Sequence, residues 1–201
     1  MPTVKPRTDE QEFLERYFES FRRLSEGSES LFAQLIRIKR ILVQAHRAGG
    51  KAVVIGNGGS AAIASHVAVD LTKNAGVQAI NFNEADLITC LANDYGYEQW
   101  LAKAVELYGE PGDVLVAISS SGTSKNILNA CAAAQRKSFA SVITLSGFSP
   151  ENPLRRFGDE NLWVDSRAYN LVEATHQLWL LAVVDLIIGK AEYPASGPAT
   201  S

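Results

Sequence analysis

Over residues 8–48, apolar side chains recur every third or fourth position, the period of a helix with one buried face. Thr8 and Gln11 have the spacing of a capping box, and Phe13, Tyr17, Phe21 and Leu24 follow at helical intervals. Gly27 breaks the run. A second helix then carries Leu31, Leu35, Ile38, Leu42 and Ala45 on one face and ends at Gly49-Gly50. Both stripes need a cover, and a partner subunit is a candidate. From Lys51 the texture changes to short apolar runs alternating with helical patterns. Strands are expected over 52–55, 78–82, 113–118, 140–145 and 161–164. Helices are expected over 59–72, 124–136 and 169–188, with helical pieces over 86–107 around an Asn93-Asp94-Tyr95-Gly96 turn. Strands separated by helices imply βαβ units and a parallel sheet covered on both faces. The expected class is therefore α/β: a flavodoxin-like three-layer sandwich with a five-stranded parallel sheet. Residues 1–50 form an N-terminal helical extension for oligomerisation, 51–190 the α/β domain, and 191–201 a disordered tail rich in Pro, Ala, Ser, Gly and Thr.

Composition narrows the function classes. The chain has 201 residues, 46% hydrophobic and 20% charged, with a formal net charge of −3, the balance of one soluble globular domain. Lys and Arg are spread along the chain, so no concentrated basic patch marks nucleic-acid binding. The longest apolar run, 178–188, is interrupted by Asp185 and reads as a buried helix rather than a membrane span. No apolar signal-peptide core follows residues 1–10. Cys90 and Cys131 stand far apart without metal-type spacing, as expected of reduced thiols in a cytoplasmic protein.

Two strand–loop–helix junctions share one design. One is Gly56-Asn57-Gly58-Gly59-Ser60; the other is Ser119-Ser120-Ser121-Gly122-Thr123-Ser124. Glycines let backbone approach a ligand closely, a helix start offers free N–H groups and a positive dipole end, and serine hydroxyls add neutral donors. A phosphate monoester fits such a cradle without Lys or Arg. Each loop alone would be an ordinary βα turn with a serine cap. Two of them at the carboxyl ends of strands in one sheet point to a ligand site. Neither matches the dinucleotide fingerprint or the P-loop.

Together, Gly56-Asn57-Gly58-Gly59-Ser60, His66 six residues on, Asn93-Asp94-Tyr95-Gly96 and the serine-rich loop resemble the SIS (sugar isomerase) domain, in its phosphoheptose isomerase branch. That resemblance implies an aldose–ketose isomerase converting sedoheptulose 7-phosphate to D-glycero-D-manno-heptose 7-phosphate. It also implies a homotetramer with active sites between subunits. Asn57, Gly58, Gly59 and Ser60 would line the sugar pocket, Asn93 and Asp94 would contact sugar hydroxyls, and Ser119, Ser120, Ser121 and Ser124 would hold the phosphate. Many members bind zinc through a His and a Glu four residues apart, plus a Gln and a His eight apart on the last helix.

This chain departs from that pattern at three positions. Asp70 stands where the family has Glu, one methylene shorter but still one turn from His66 on the same helical face. Glu173 falls where the family has Gln, and it is placed both against the substrate and in the chemistry. Leu181 replaces a His that is both metal ligand and acid/base. His176 lies one turn after Glu173 and either replaces the lost imidazole or is a satisfied core histidine; His46 is expected to be uninvolved. Isomerisation through an enediol needs a base over carbon and an acid near oxygen, for which Asp70, Glu173, His66 and His176 are the candidates. His66, Asp70 and Glu173 make the candidate zinc set, with His176 a candidate fourth ligand. The rival reading is a non-catalytic SIS protein that binds a sugar phosphate and a protein partner.

Overall fold

The computed structural model describes residues 8–194. Two helices come first, α1 (Asp9–Ser25) and α2 (Glu29–Arg47). They are followed by β1 (Ala52–Ile55), α3 (Gly59–Lys73), β2 (Ala79–Ile80), α4 (Ala85–Tyr95), α5 (Trp100–Tyr108), β3 (Val114–Ser119), α6 (Lys125–Arg136), β4 (Ser141–Ser146), β5 (Glu160–Trp163) and α7 (Tyr169–Ile188). The Thr8–Gln11 capping box is formed, each side chain bonding the other residue's amide at 3.2 and 3.0 Å. Asn93, Asp94 and Tyr95, expected in a turn, are the last residues of α4, which Gly96 ends at φ +83°. Of the tail, residues 195–201 lie outside the described residues.

All five strands are parallel, in the order β2-β1-β3-β4-β5, which is the flavodoxin-like order. Alternate strand residues serve opposite layers. Ala52, Val54, Val114, Val116 and Ile118 pack with α2, α3 and α7, while Val53, Ile55, Leu115 and Ala117 pack with α4, α5 and α6. Each such Val, Leu or Ile side chain contributes about 1.5–3 kcal/mol relative to exposure. The membrane-length helix α7 is a core element: Val172, His176, Trp179, Leu180, Val183 and Val184 are buried along it.

The two N-terminal helices differ. The stripe on α2 needs no partner subunit, because Leu35, Ile38, Leu42 and Ala45 enter the same core as the sheet. The α1 helix buries none of its residues, and it leaves Phe13, Leu14 and Phe18 more than half exposed.

Candidate active site

The strand order reverses direction between β1 and β3, and open α/β sheets bind ligands at that switch point. A cavity of about 120 Å³ lies there, lined by Asn57, Ser60, Ile118, Ser119, Ser120, Ser121, Ser124, Tyr169 and Glu173. The β1 and β3 loops and the start of α7 therefore meet in one cleft, at the beginnings of α3 and α6. The amide groups of those first helical turns have no intrahelical partners, and both positive dipole ends lie at the cavity.

Small residues shape this cleft. Gly58 has φ +54°, a conformation that glycine adopts without a steric penalty. Gly59 makes room in a different way: the end of the Glu173 side chain packs where a Cβ would stand. In the second loop, Ser119 Oγ donates to Ser124 Oγ at 3.2 Å, and the Ser121 and Thr123 hydroxyls share a bond of 2.9 Å. Ser120 Oγ is buried with no protein partner. A buried hydroxyl left unmet costs about 1–3 kcal/mol, and a phosphate oxygen would satisfy it.

The two loops are joined. Asn57 Nδ2 donates to Asn126 Oδ1 at 2.9 Å, and Asn126 Nδ2 returns a bond to Asn57 Oδ1 at 2.8 Å. Tyr97 Oη also donates to Asn57 Oδ1, at 3.4 Å.

Glu173 is half-buried at the cavity wall, and loss of water around it raises its carboxyl above the usual glutamate value. The expected partners His66 and Asp70 sit further along α3. His66 Nε2 lies 3.3 Å from Asp70 Oδ2, Gln177 Nε2 lies 3.2 Å from His66 Nδ1, and Asn74 Nδ2 donates to Asp70 Oδ1 at 3.0 Å. A donor amide on Nδ1 fixes the ring proton on Nε2, toward Asp70.

Three expectations are corrected. His176 is not a catalytic group at this cleft. It is fully buried on the core face of α7, its Nε2 bonds the Ser146 carbonyl at 3.1 Å, and burial pulls its pKa down to about 4. Asn93 and Asp94 do not line the cavity: both are exposed on the last turn of α4, where Asn93 donates to Asp94 at 2.9 Å. The set His66, Asp70 and Glu173 does not converge on one metal position. Glu173 is held over Gly59, and no group of three or more His, Cys, Asp or Glu side chains is arranged to hold a metal among the described residues. His66 and Asp70 offer two donors, Gln177 occupies the other imidazole nitrogen and Leu181 offers none, so these residues do not fit the three or four protein ligands of a zinc site.

Sequence reasoning missed Asn126, Tyr169 and Gln177. Asn126 is a polar residue on the buried face of α6, two positions after Ser124. Gln177 stands one turn from both Glu173 and Leu181, on the face those two share.

A family model described as "SIS domain" matches residues 16–147. The phosphoheptose isomerase of Thiobacillus denitrificans is 34% identical over 170 residues, covering 81% of this chain and 86% of that protein. The phosphoheptose isomerase of Sulfurimonas denitrificans is 30% identical over 166 residues, covering 80% and 84%. Among solved structures, a phosphoheptose isomerase from Francisella tularensis superposes with a TM-score of 0.83 at 30% identity, over 92% of this chain and 100% of that one. The phosphoheptose isomerase from Neisseria gonorrhoeae does so with a TM-score of 0.81, also at 30% identity, over 90% and 99%. By its strand order, its two ligand loops and these relatives, the chain belongs to the SIS domain family, in the phosphoheptose isomerase branch.

Proposed function

We propose that this protein is a sugar-phosphate aldose–ketose isomerase that converts sedoheptulose 7-phosphate to D-glycero-D-manno-heptose 7-phosphate. One observation carries the reading: a carboxyl raised by burial stands at the wall of a serine cradle whose Ser120 hydroxyl lacks a partner. The names of its relatives set the substrate class.

The phosphate is held by the hydroxyls of Ser119, Ser120, Ser121 and Ser124 and by the amides opening α6. The sugar chain then runs along the edge shared by α3 and α7, past Asn57 and Glu173. Helical rise puts Gln177 roughly 6 Å beyond Glu173 along α7, within the length of an open seven-carbon chain. Glu173 takes the proton from C1 of the ketose and returns it to C2 of the enediol. The His66–Asp70 pair, oriented by Gln177, exchanges its internal 3.3 Å contact for the sugar hydroxyls and moves the hydroxyl proton from O1 to O2. A carboxyl with a raised pKa suits a group that must both accept and release a proton near neutrality. No step is routed through zinc. A homotetramer is proposed on the bare α1 face, with Phe13, Leu14 and Phe18 covered by a second copy, and the location is proposed to be cytoplasmic.

The test is proton NMR of sedoheptulose 7-phosphate incubated with the protein, in parallel with and without chelator. Appearance of the aldose anomeric signal at equal rates in both is expected. No conversion of heptose, hexose or pentose phosphates, with zinc supplied, overturns the enzyme in favour of a non-catalytic binder.

A further inference from the structure

The cavity that would hold a phosphate dianion is lined by no Lys or Arg, and its one ionisable carboxyl is Glu173. Helix dipoles and hydroxyls offset part of that charge. A nearby cation would offset more, yet most cations around the cleft are engaged. Lys125, next to Ser124, is bonded to Glu98 at 2.9 Å. Arg155 bonds the Pro150 carbonyl and lies over the Trp163 ring.

Arg167 is placed differently. No carboxylate reaches it among the described residues, and its guanidinium rests 5.6 Å from the centre of the Phe148 ring. Phe148 in turn meets Tyr169 edge-on at 4.9 Å, and Tyr169 lines the cavity. The backbone around Phe148 is tied on one side to the ligand loop and on the other to Ser166. The amide of the preceding Gly147 donates to Ser120 O at 2.9 Å, and its own amide donates to Ser166 O at 2.8 Å. It also holds φ +57°, a left-handed conformation that a bulky residue adopts at a cost and that clusters at ligand clamps. An exposed cation–π seat is weak, whereas a guanidinium on a phosphate forms paired, charge-assisted bonds. A long side chain parked on an aromatic ring that itself packs on the cavity-lining Tyr169 is placed to leave the ring for the anion.

We propose that Arg167 is a phosphate-binding residue that determines specificity for phosphorylated sugars, kept at the cleft by the Phe148–Tyr169 pair. This rests on the isomerase reading for the identity of the sugar, but not for the phosphate.

The test pairs kinetics on sedoheptulose 7-phosphate with calorimetric titration of inorganic phosphate, for the wild type, Arg167→Gln and Arg167→Lys. In Arg167→Gln, KM and the phosphate dissociation constant are expected to rise about tenfold, the loss of one hydrogen-bonded charge partner. The kcat is expected to stay within about twofold, because an interaction made equally in ground and transition states is removed. Arg167→Lys should restore part of the loss. Unchanged KM and phosphate affinity in Arg167→Gln overturn the proposal, as does an equal fall in kcat with KM unaltered. A wild type without turnover overturns the isomerase reading alone; the phosphate titration still decides Arg167.

Discussion

The serine-lined cavity and the His66–Asp70–Gln177 cluster lie on neighbouring parts of the same molecule but are built from different materials. The cavity is made of backbone, glycines and short hydroxyls at the ends of strands, and it is left unsatisfied, with an orphan hydroxyl and a raised carboxyl. The cluster is made of long side chains on two helix faces, and it satisfies itself: every imidazole nitrogen and both Asp70 oxygens have a partner. Unmet polar groups mark where a ligand belongs, and a closed chain of hydrogen bonds marks a part that orients. On the proposed reading, binding and carbon chemistry fall to the cavity, and the cluster beside it serves as the oxygen-side partner.

The largest test separates the two regions. Glu173→Gln is expected to lower kcat on the order of 100- to 10,000-fold while leaving sugar-phosphate binding in place. The wild-type acid limb of kcat/KM should sit above the ordinary glutamate range, since deprotonation of a burial-raised carboxyl needs higher pH, and the Gln variant should lose that limb. His66→Ala should cost less, on the order of 100-fold, at the lower end for a proton-transfer partner. If Glu173→Gln retains full kcat and His66→Ala abolishes it, the roles assigned to the two regions are reversed.

His176 sharpens the contrast from the side of stability. Its pKa falls from 6.5 to about 4 on folding, so the folded state binds fewer protons than the unfolded state between those values. Stability therefore drops as pH falls from 6.5 to 4, by about 3 kcal/mol in total. Thermal melts across that window should show the loss, and His176→Gln should flatten it while changing kcat little. A large kcat defect at neutral pH with an unchanged melt would return His176 to the chemistry.

The smallest expected effect is opposite in sign for folding and binding. Ser120→Ala removes a buried unmet hydroxyl and should raise stability by about 1 kcal/mol. It should weaken phosphate affinity by about 1–2 kcal/mol, read by calorimetry. Equal affinity in Ser120→Ala and wild type would move the phosphate out of this loop.

The layered sheet and both ligand loops were legible in the sequence, because glycines and serines at strand ends act locally. Their φ preferences and capping bonds do not depend on what packs above them. The start of α7 was legible for the same reason, as strand, loop and apolar run differ sharply in composition. Which side of α7 faces the cleft was not legible in the periodicity; the family resemblance alone put Glu173 there. That helix is apolar nearly all round, so the turn of about 100° per residue gave no contrast between Glu173, His176 and Gln177. Packing against the sheet settled it, drawing His176 to the core and turning Glu173 outward. The Asn57–Asn126 pair was equally hidden, because it joins positions 69 residues apart.

The carboxylate seated on Gly59 also sets an evolutionary path. A methyl group at that position would meet the flexible end of Glu173, displacing it while the strand, the α3 helix and the serine loop keep their places. If Glu173 carries turnover as proposed, Gly59→Ala is a single-codon step that separates it from recognition. A duplicated copy carrying it would inherit a ready sensor of sugar phosphates, free to acquire a new output without first having to lose its fold.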